Sequence, residues 1–355
     1  MISLHLSRNR AIFSVLTVAC LLLAACSRPP IPVHQTQVLA FGTLVDITIA
    51  GTDKASAGEA TAAVIHLLNT LHRRWHAWEP SPVTALNAQL ARGEPATVDA
   101  DMAAVIRRAR KLAEQSGGLF NPAIGRLLQL WGFQQDERPE EMPPPAEEEI
   151  TAWLATHPSM ADLTLDGATV SSRNPAVQLD FGAFIKGYGV DLALAELKRR
   201  GIDNAIINAG GDLRAMGVRG DRPWRVGIRD PRGPGVLASL EIQGDEAVFT
   251  SGDYERYFIH EGLRYHHILD PRSGRPARGT TSVTVVHTSG TEADAAATAL
   301  FIAGPARWRE TAKALGLRQV MLIDDRGTVH VSPELAARLR FETEKPPRLK
   351  VEAIQ

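Results

Sequence analysis

The segment of residues 178–191 constrains the fold of this 355-residue chain more than any other part of it. Its pattern is that of a strand that enters a glycine-containing turn and continues as a helix, with Gly182, Lys186 and Gly187 at the transition. Backbone N–H groups at the start of a helix attract anions, and glycine lets a phosphate approach the backbone closely. The residue order excludes two common phosphate loops, because G-x-G-x-x-G is absent and Lys186 precedes Gly187 instead of following it. Tight packing of the strand against the helix would explain the same glycines, so this segment alone leaves both interpretations open.

The rest of the chain predicts a mixed α and β fold without a fixed-period repeat. The apolar residues Val45, Ile47 and Ile49 alternate with polar ones, which predicts a half-buried strand over residues 38–49 with a break at 41–43. Helices are predicted over a stripe from Val64 to Trp78 that Pro80 ends, at 102–113, near 150–155, and at about 188–200, 292–303 and 305–315. Further strands are predicted at 176–180, 205–208, 224–228, 236–242, 246–250, 263–269 and 282–287.

Charge and cysteine content exclude several classes of protein. The chain has 39 basic and 40 acidic residues, a balance that argues against non-specific nucleic-acid binding, which needs a cationic face. Its two cysteines, Cys20 and Cys26, both lie near the N-terminus. The folded part therefore has neither a disulfide framework nor a cysteine metal cluster.

The N-terminus has the pattern of a bacterial lipoprotein signal. Two arginines precede an uncharged stretch at 11–25, which is too short to span a membrane, and the stretch ends in Leu-Ala-Ala before Cys26. This ending resembles a lipobox, which predicts removal of residues 1–25 and acylation of Cys26; an ordinary cleavage site beside an incidental cysteine is the alternative. The mature chain would keep 37 basic and 40 acidic residues, so lipid and not basic charge would anchor it. We predict a proline-containing tether at 26–36, one folded domain at 37–340 and a C-terminal tail at 341–355.

Three polar turns follow predicted strands. Asn208 and Asp212 flank a Gly-Gly pair, a pattern that is more often a turn than a site. Asp253 belongs to a similar Ser-Gly-Asp-Tyr turn. His266 and His267 are adjacent on a predicted strand, so their side chains point to opposite faces and only one of them can face a given cleft.

The alanine-rich segment 291–300 places two oxygen donors on one helical face. Asp294 and Thr298 are four residues apart, and carboxylate and hydroxyl oxygens suit a hard cation such as Mg²⁺. Thr291 with Asp294 also resembles a capping box, in which the aspartate would merely cap its own helix. The spacing alone does not separate these two interpretations.

Five motifs in this order resemble the ApbE family of FAD:protein FMN transferases. They are D-F-G-A-F-I-K-G-Y at 180–188, N-A-G-G-D-L at 208–213, T-S-G-D-Y at 250–254, H-H-I-L-D-P at 266–271 and A-D-A-A-A-T-A at 293–299. The resemblance covers residues 38–325 and implies an α/β fold with a mixed sheet in a T-fold-like α/β/α arrangement. It also implies FAD as substrate, a Mg²⁺ site, and transfer of FMN to a threonine or serine of a partner protein with release of AMP.

The resemblance assigns roles to individual residues of this chain. FAD contacts are implied for Phe41, Trp78, Leu119, Phe120, Asn121, Asp180, Lys186 and Ile268. Mg²⁺ would be held by the Ala183 carbonyl oxygen, Asp294 and Thr298, and His267 would transfer a proton. The chain departs from the family pattern where Phe41 replaces methionine, Trp78 replaces tyrosine and Asn121 replaces aspartate. The first two changes keep a broad apolar surface for the flavin, and the third replaces a carboxylate by an amide.

Three functions are compatible with this pattern. The first is a lipid-anchored transferase that flavinylates redox proteins of the cell envelope, with His267 or Asp253 as the base for the acceptor hydroxyl. The second is an FAD pyrophosphatase, in which water takes the place of that hydroxyl, and the third is a flavin-binding lipoprotein without catalysis. The family implies the inner membrane, facing the periplasm, whereas Ser27 after the lipid cysteine would favour the outer membrane.

Overall fold

The computed structural model of the protein describes residues 31–135, 142–343 and 347–354. The predicted signal peptide, Cys26 and the first part of the tether lie outside the described residues. The helices are α1 (Lys54–Arg74), α2 (Pro82–Ala91), α3 (Ala100–Gln115), α4 (Gly125–Leu130), α5 (Glu147–Thr156), α6 (Ile185–Arg199), α7 (Gly290–Ala314) and α8 (Pro333–Ala336). The strands are β1 (Val33–Ala40), β2 (Thr43–Ala50), β3 (Ala96–Thr97), β4 (Leu163–Asp166), β5 (Thr169–Ser172), β6 (Ala205–Ala209), β7 (Asp212–Met216), β8 (Val218–Arg219), β9 (Arg222–Pro223), β10 (Arg225–Arg229), β11 (Val236–Glu241), β12 (Glu246–Gly252), β13 (Tyr257–His260), β14 (Leu263–His266), β15 (Leu269–Asp270), β16 (Arg275–Pro276), β17 (Thr280–His287), β18 (Gln319–Asp324), β19 (Thr328–Val331), β20 (Arg340–Phe341) and β21 (Arg348–Val351).

Nine of these strands form one sheet in the order β1-β2-β6-β7-β12-β17-β18-β19-β21. Neighbouring strands run antiparallel except for β19 and β21, which are parallel. In β17 every residue from Thr280 to Val286 is buried, because both faces of the sheet are covered there. The mixed α/β class predicted from the sequence is confirmed.

The two faces of the sheet are covered by different layers. One face packs against helices α1, α6 and α7 through residues such as Ile47 and Phe249. The other face packs against the sheet β10-β11-β20 and helix α8, where Trp224 joins a core that includes Val248. The expected α/β/α arrangement therefore has helices on one outer face and mainly strands on the other.

The structure corrects both predicted boundaries of the folded domain. Strand β1 pairs with β2 from Val33 onward, so the tether predicted for 26–36 ends before residue 33. At the other end, β21 pairs with β19, so the predicted tail at 341–355 contributes a strand to the main sheet. All four side chains of β21 are exposed, because an edge strand can be held by backbone hydrogen bonds without burying side chains. The two edge strands, β1 and β21, have no clear alternation of apolar and polar residues, so the sequence gives no clear strand signal for them.

The predicted helical stripe from Val64 to Trp78 is too long. Helix α1 ends at Arg74, and Trp78 lies beyond it. Ser81 and Thr84 form a capping box that starts α2, so the residues between the two helices serve as a connection.

Residues 176–180, predicted as a strand, form a single bridge within the described part of the chain, between Gln178 and Ile124. The side-chain amide of Asn87 bonds to both the N–H and the C=O of Leu179. A side chain thus takes the place of a neighbouring strand and leads the chain into the glycine turn.

Two other predicted elements are divided or joined in the structure. The helices predicted at 292–303 and 305–315 form one element, α7, with a kink at Gly304, where φ is +70° and Pro305 follows. The strand predicted at 263–269 is divided into β14 and β15. Among the residues that the structure describes, no helix is long and apolar enough to cross a membrane.

Candidate active site

The N-terminal ends of helices α6 and α7 meet at two glycines. A Cβ atom on Gly187 would overlap the carbonyl group of Gly290, and a Cβ on Gly290 would lie 2.9 Å from a carboxylate oxygen of Asp191. Both positions therefore require glycine for close approach of the two backbones. We call this meeting point the helix junction.

Each helix at the junction is capped by an aspartate of the other. The carboxylate of Asp294 in α7 accepts a hydrogen bond from the Gly187 N–H of α6, at 2.9 Å. Asp191 of α6 accepts from the N–H groups of Gly290 and Thr291, at 2.7 and 3.0 Å, and from the Thr291 hydroxyl. The alternative in which Asp294 caps its own helix is therefore wrong, because Ser289 and Asp191 cap that end of α7.

Asp191 is part of a wider charge network. The guanidinium of Arg214 in β7 bonds to Asp191 at 2.7 Å and to Asp245 at 2.8 Å. Burial opposes ionisation of Asp191, but the hydrogen bonds from Thr291 and the positive charge of Arg214 outweigh it and lower its pKa. Asp191 therefore stays ionised and ties α7 to the central sheet through Arg214.

Lys186, one residue before Gly187, lies beside the junction and forms an ion pair with Asp212. The other oxygen of Asp212 accepts from the Thr250 N–H at 2.6 Å, which fixes the carboxylate on the sheet. Burial disfavours the charged ammonium, yet Asp212 and Asp294 outweigh burial and raise the pKa of Lys186. Lys186 is therefore a fixed positive charge at the N-terminal end of α6.

The predicted metal ligands lie on α7 and on the turn that leads into α6. Asp294 is buried, with 7% of its surface exposed, and burial raises the pKa of its carboxyl. Within the described residues, only one of its two oxygens has a hydrogen-bond donor. Thr298 lies one helical turn further on, with its hydroxyl 3.3 Å from that of Ser251, and Ala183 lies in the turn that precedes α6.

This donor set fits a hard divalent cation. A buried carboxylate with a free oxygen, a hydroxyl and a backbone carbonyl are oxygen ligands of the kind that Mg²⁺ takes. Across residues 31–135, 142–343 and 347–354, no group of three or more His, Cys, Asp or Glu side chains could hold a metal ion. A metal site here therefore depends on backbone and hydroxyl oxygens in addition to Asp294.

The two adjacent histidines have different environments. His266 is buried, and its ring donates to the Ala277 carbonyl at 2.9 Å. His267 is partly buried, and its Nδ1 donates to the Arg256 carbonyl at 3.2 Å. Burial, together with the Arg256 guanidinium, lowers the pKa of His267 to about 3. The ring is therefore neutral near pH 7, with its lone pair on Nε2.

Phe41 and Trp78 both lie near the C-terminal end of α1. Phe41 is in the two-residue turn between β1 and β2 with φ of +53°, and its ring packs closely over Gly189 of α6. Trp78 is 36% exposed and lies edge-on to His76, with ring centroids 4.5 Å apart. Phe41 is thus placed beside the helix that carries Lys186, while Trp78 leaves an aromatic surface accessible to a ligand.

The side chains of four other predicted FAD contacts are engaged within the protein. Leu119 and Phe120 are in the core, so only their backbone can meet a ligand. The side chain of Asn121 bonds to the Pro158 carbonyl and to the Ala123 N–H. Both oxygens of Asp180 are also taken, one by the Gly182 N–H and the other by the Gln134 amide.

Ile268 and the alternative base Asp253 are likewise engaged. Ile268 is buried, and its backbone bonds to His266 and Ala277. Asp253 accepts two hydrogen bonds from Arg232, at 2.8 and 2.5 Å, which makes it part of an ion pair and not a free base.

Sequence reasoning misses two residues of the site. The Gly-Gly pattern assigns Asp212 to a turn, although its position after a buried strand places it at the end of the sheet. Asp191 closes the strand-turn-helix motif, and the sequence gives it no role. Both act by pairing with residues distant in sequence, which spacing alone does not reveal.

Several known proteins are similar to this chain. The ApbE family model matches residues 41–322. The chain is 44% identical over 310 residues to the FAD:protein FMN transferase of Rhodobacter capsulatus, covering 87% of this chain but 59% of that protein's length. It is 32% identical over 313 residues to the enzyme of the same name from Vibrio cholerae, covering 87% of this chain and 92% of that protein.

Solved structures show the same similarity. The ApbE protein of Thermotoga maritima superposes with a TM-score of 0.80 at 33% identity, covering 88% of this chain and all of that one. The flavin transferase ApbE of Vibrio cholerae gives a TM-score of 0.77 at 30% identity, covering 87% of this chain and all of that one. The fold and these relatives together define a flavinyltransferase enzyme. The chain belongs to the ApbE family.

Proposed function

We propose that this enzyme cleaves FAD and attaches FMN through a phosphoester bond to a threonine or serine of an acceptor protein, with release of AMP. The observation that carries the proposal is the helix junction, where the Asp294 carboxylate lies 2.9 Å from the Gly187 N–H and Lys186 lies beside both. Such a site combines fixed positive potential with oxygen ligands, which is what a charged diphosphate needs. The names of the relatives from Rhodobacter capsulatus and Vibrio cholerae support flavin transfer.

The chemistry requires charge stabilisation at phosphorus. The acceptor oxygen attacks the FMN phosphorus, the bond to the AMP oxygen breaks, and AMP leaves with the electron pair. Asp294, Thr298 and the Ala183 carbonyl would hold Mg²⁺, which supplies Lewis-acid polarisation of a phosphoryl oxygen when bound. Lys186 and the backbone N–H groups that begin α6 add positive potential for the phosphates.

His267 is the proposed acceptor of the hydroxyl proton. Because Nδ1–H donates to the Arg256 carbonyl, Nε2 carries the lone pair that receives the proton. The low pKa of the ring in the protein alone keeps it unprotonated. A phosphate anion bound beside the ring would raise this pKa and improve its basicity.

The test measures AMP release and FMN attachment in one reaction. Soluble enzyme is incubated with FAD, Mg²⁺ and an envelope redox protein domain, and the acceptor mass and the AMP are both quantified. Equal amounts of AMP and attached FMN support the proposal. AMP without attached FMN would identify an FAD pyrophosphatase, and FAD binding without AMP release would identify a flavin carrier. Asp294→Asn should abolish both products, whereas Glu310→Gln, an exposed change in the same helix, should not.

We also propose that lipid on Cys26 holds the enzyme on the inner membrane, facing the periplasm. Strand β1 begins at Val33, seven residues after Cys26, so an extended connection spans at most about 25 Å. The folded domain would therefore lie close to the membrane that carries its acceptors. Labelled fatty acid should be incorporated into the wild-type protein and not into Cys26→Ser, and membrane fractionation would distinguish the inner from the outer membrane.

A further inference from the structure

A cavity of about 360 Å³ lies beside the active site and is lined by three arginines. We call it the arginine pocket and define it by Arg232, Arg264, Arg278, Asp253 and His266. None of these residues is needed for the proposed chemistry at phosphorus. A cavity with several guanidinium groups binds anions, and the planar guanidinium matches a carboxylate or a phosphate.

The pocket is close to the proposed metal ligands. Asp253 lies two residues after Ser251, whose hydroxyl is 3.3 Å from that of Thr298. Two residues of extended chain span about 7 Å. On its other side the pocket includes His266, the neighbour of His267. A molecule that fills the pocket would therefore lie near the proposed metal ligand Thr298.

The lining of the pocket holds three arginines and two carboxylates, Asp253 and Asp325, which leaves one net positive charge. Asp253 serves two arginines, since it bonds to Arg232 at 2.8 and 2.5 Å and to Arg264 at 3.3 Å. Arg278 donates to the Arg264 carbonyl at 3.1 Å and lies over the Tyr265 ring. Within the part of the chain that the structure describes, no carboxylate pairs with Arg278.

An exposed apolar surface adjoins the pocket. In the β13–β14 hairpin, Tyr257 pairs with His266 and Ile259 pairs with Arg264, so these four side chains share one face. Tyr257 is 40% exposed and Ile259 is 52% exposed, and the Arg264 guanidinium lies 4.3 Å from the centre of the Tyr257 ring. Exposed apolar side chains beside a cationic pocket are typical of a surface that binds a polypeptide.

We propose that the arginine pocket and this hairpin face bind the acceptor protein, with an acidic side chain near the acceptor threonine or serine held by Arg278. This inference rests on the proposed transferase function. The phosphates of FAD are assigned to the helix junction, so the anion that fits the pocket comes from the second substrate. The apolar hairpin face then contacts the segment that flanks the acidic residue.

The experiment selects acceptors from random sequences. A library of random segments around one fixed threonine is displayed on a carrier protein and treated with enzyme, FAD and Mg²⁺. Flavin-bearing members are isolated by fluorescence and sequenced. We expect aspartate or glutamate to be enriched about tenfold or more at one fixed distance from the threonine, as charge-assisted hydrogen bonds allow.

Charge reversal tests which residue of the enzyme binds that acidic side chain. Arg278→Glu should lose the acidic preference and favour lysine or arginine at the same position. Arg219→Glu, an exposed change in β8 outside the pocket lining, is the matched control and should keep the wild-type preference. FAD affinity, measured by flavin fluorescence, should stay within about twofold in Arg278→Glu, because the proposed FAD phosphate site is at the helix junction and not in the pocket.

The possible outcomes separate the docking proposal from the proposed transferase function. Flavinylated members without acidic enrichment, or an unchanged preference in Arg278→Glu, would overturn the docking proposal and leave the transferase function intact. Weaker FAD binding in Arg278→Glu would place the pocket in the nucleotide site and would also overturn it. If AMP is released and no member is flavinylated, the transferase function fails, and the docking proposal fails with it.

Discussion

Asp294 is a buried carboxylate with two tasks at the helix junction. One oxygen caps α6 through the Gly187 N–H, and burial raises the pKa of the group. An isolated buried charge is unfavourable, so the residue gains from a nearby cation. Lys186 supplies part of this compensation, and the proposed metal ion would supply the rest.

Asp294→Asn should separate stability from metal binding. Asparagine keeps an oxygen for the Gly187 N–H and removes the buried charge, so without divalent ions the variant should unfold at the same or a higher temperature than wild type. Mg²⁺ should stabilise wild type by about 2.7 kcal/mol at about a hundredfold excess over its Kd, and should not stabilise the variant. Thermal unfolding with and without Mg²⁺ measures this, with Glu310→Gln as control. Equal Mg²⁺ stabilisation of both proteins would show that Asp294 does not bind the metal ion.

His266 should make stability depend on pH. Burial lowers its pKa to about 4 from an ordinary 6.5, so the unfolded chain binds a proton at a higher pH than the folded one. The stabilising effect is complete above pH 6.5 and is lost as pH falls toward 4, by up to about 1.4 kcal/mol per pH unit. Urea unfolding across this range should show a shallower decline for His266→Gln than for wild type. His66→Gln, an exposed change in α1, should keep the wild-type slope.

At the scale of elements, the junction couples two helices that lie far apart in sequence. Asp191 caps α7 and Asp294 caps α6, so each helix start is fixed by the other helix. The same contacts place Lys186 and the proposed metal ligands together. Changes that separate the helices should therefore affect metal binding as well as folding.

Gly187→Ala tests the close approach of the two helices. The added methyl group would overlap the Gly290 carbonyl, which is backbone and cannot move aside without shifting α7. We expect a loss of about 1–3 kcal/mol in unfolding free energy and weaker Mg²⁺ binding by calorimetry. Gly58→Ala in α1 is the control, because no neighbour lies within 4 Å of the new atom, and it should stabilise by up to about 1 kcal/mol. A Gly187→Ala protein that matches wild type in both measurements would show that the junction tolerates a wider spacing.

Asp191→Asn tests the cap on α7. Asparagine cannot accept as many hydrogen bonds, and it removes one of the two carboxylates that pair with Arg214 among the described residues. We expect a destabilisation of about 2 kcal/mol and weaker Mg²⁺ affinity, although Asp191 is not a proposed ligand. Asp203→Asn, an exposed change after α6, should alter neither quantity. Unfolding and calorimetric titration measure both, and an unchanged Mg²⁺ affinity would show that the cap serves stability alone.

At the scale of the whole molecule, the sequence predicted the class of fold better than it predicted the edge strands of the main sheet. Buried strands such as β17 and the motif around Lys186 have strong local patterns, and both lie where the fold is covered on two sides. Edge strand β21 has an R-L-K-V sequence with every side chain exposed, so backbone pairing places it without an apolar signal. The ion pair of Lys186 with Asp212 and the cross-caps of Asp191 and Asp294 depend on tertiary contacts, which residue spacing does not specify.

The arrangement of layers explains why the site is at the junction. Helices α6 and α7 pack side by side on one face of the sheet, and their N-terminal ends lie near the ends of β7 and β12, which carry Asp212 and Ser251. The sheet therefore supplies fixed polar groups to a point where two helix starts add positive potential. The proposed binding of a charged diphosphate at this edge would depend on the fold as much as on any one side chain.

The central claim is that a divalent ion at the helix junction is required to cleave FAD. Mn²⁺, which takes similar oxygen ligands and scatters anomalously, can be located in crystals grown with FAD. We predict an anomalous peak at Asp294, Thr298 and the Ala183 carbonyl, next to the diphosphate, and its absence in Asp294→Asn crystals. A peak elsewhere, or FAD cleavage by Asp294→Asn at the wild-type rate, would contradict the account.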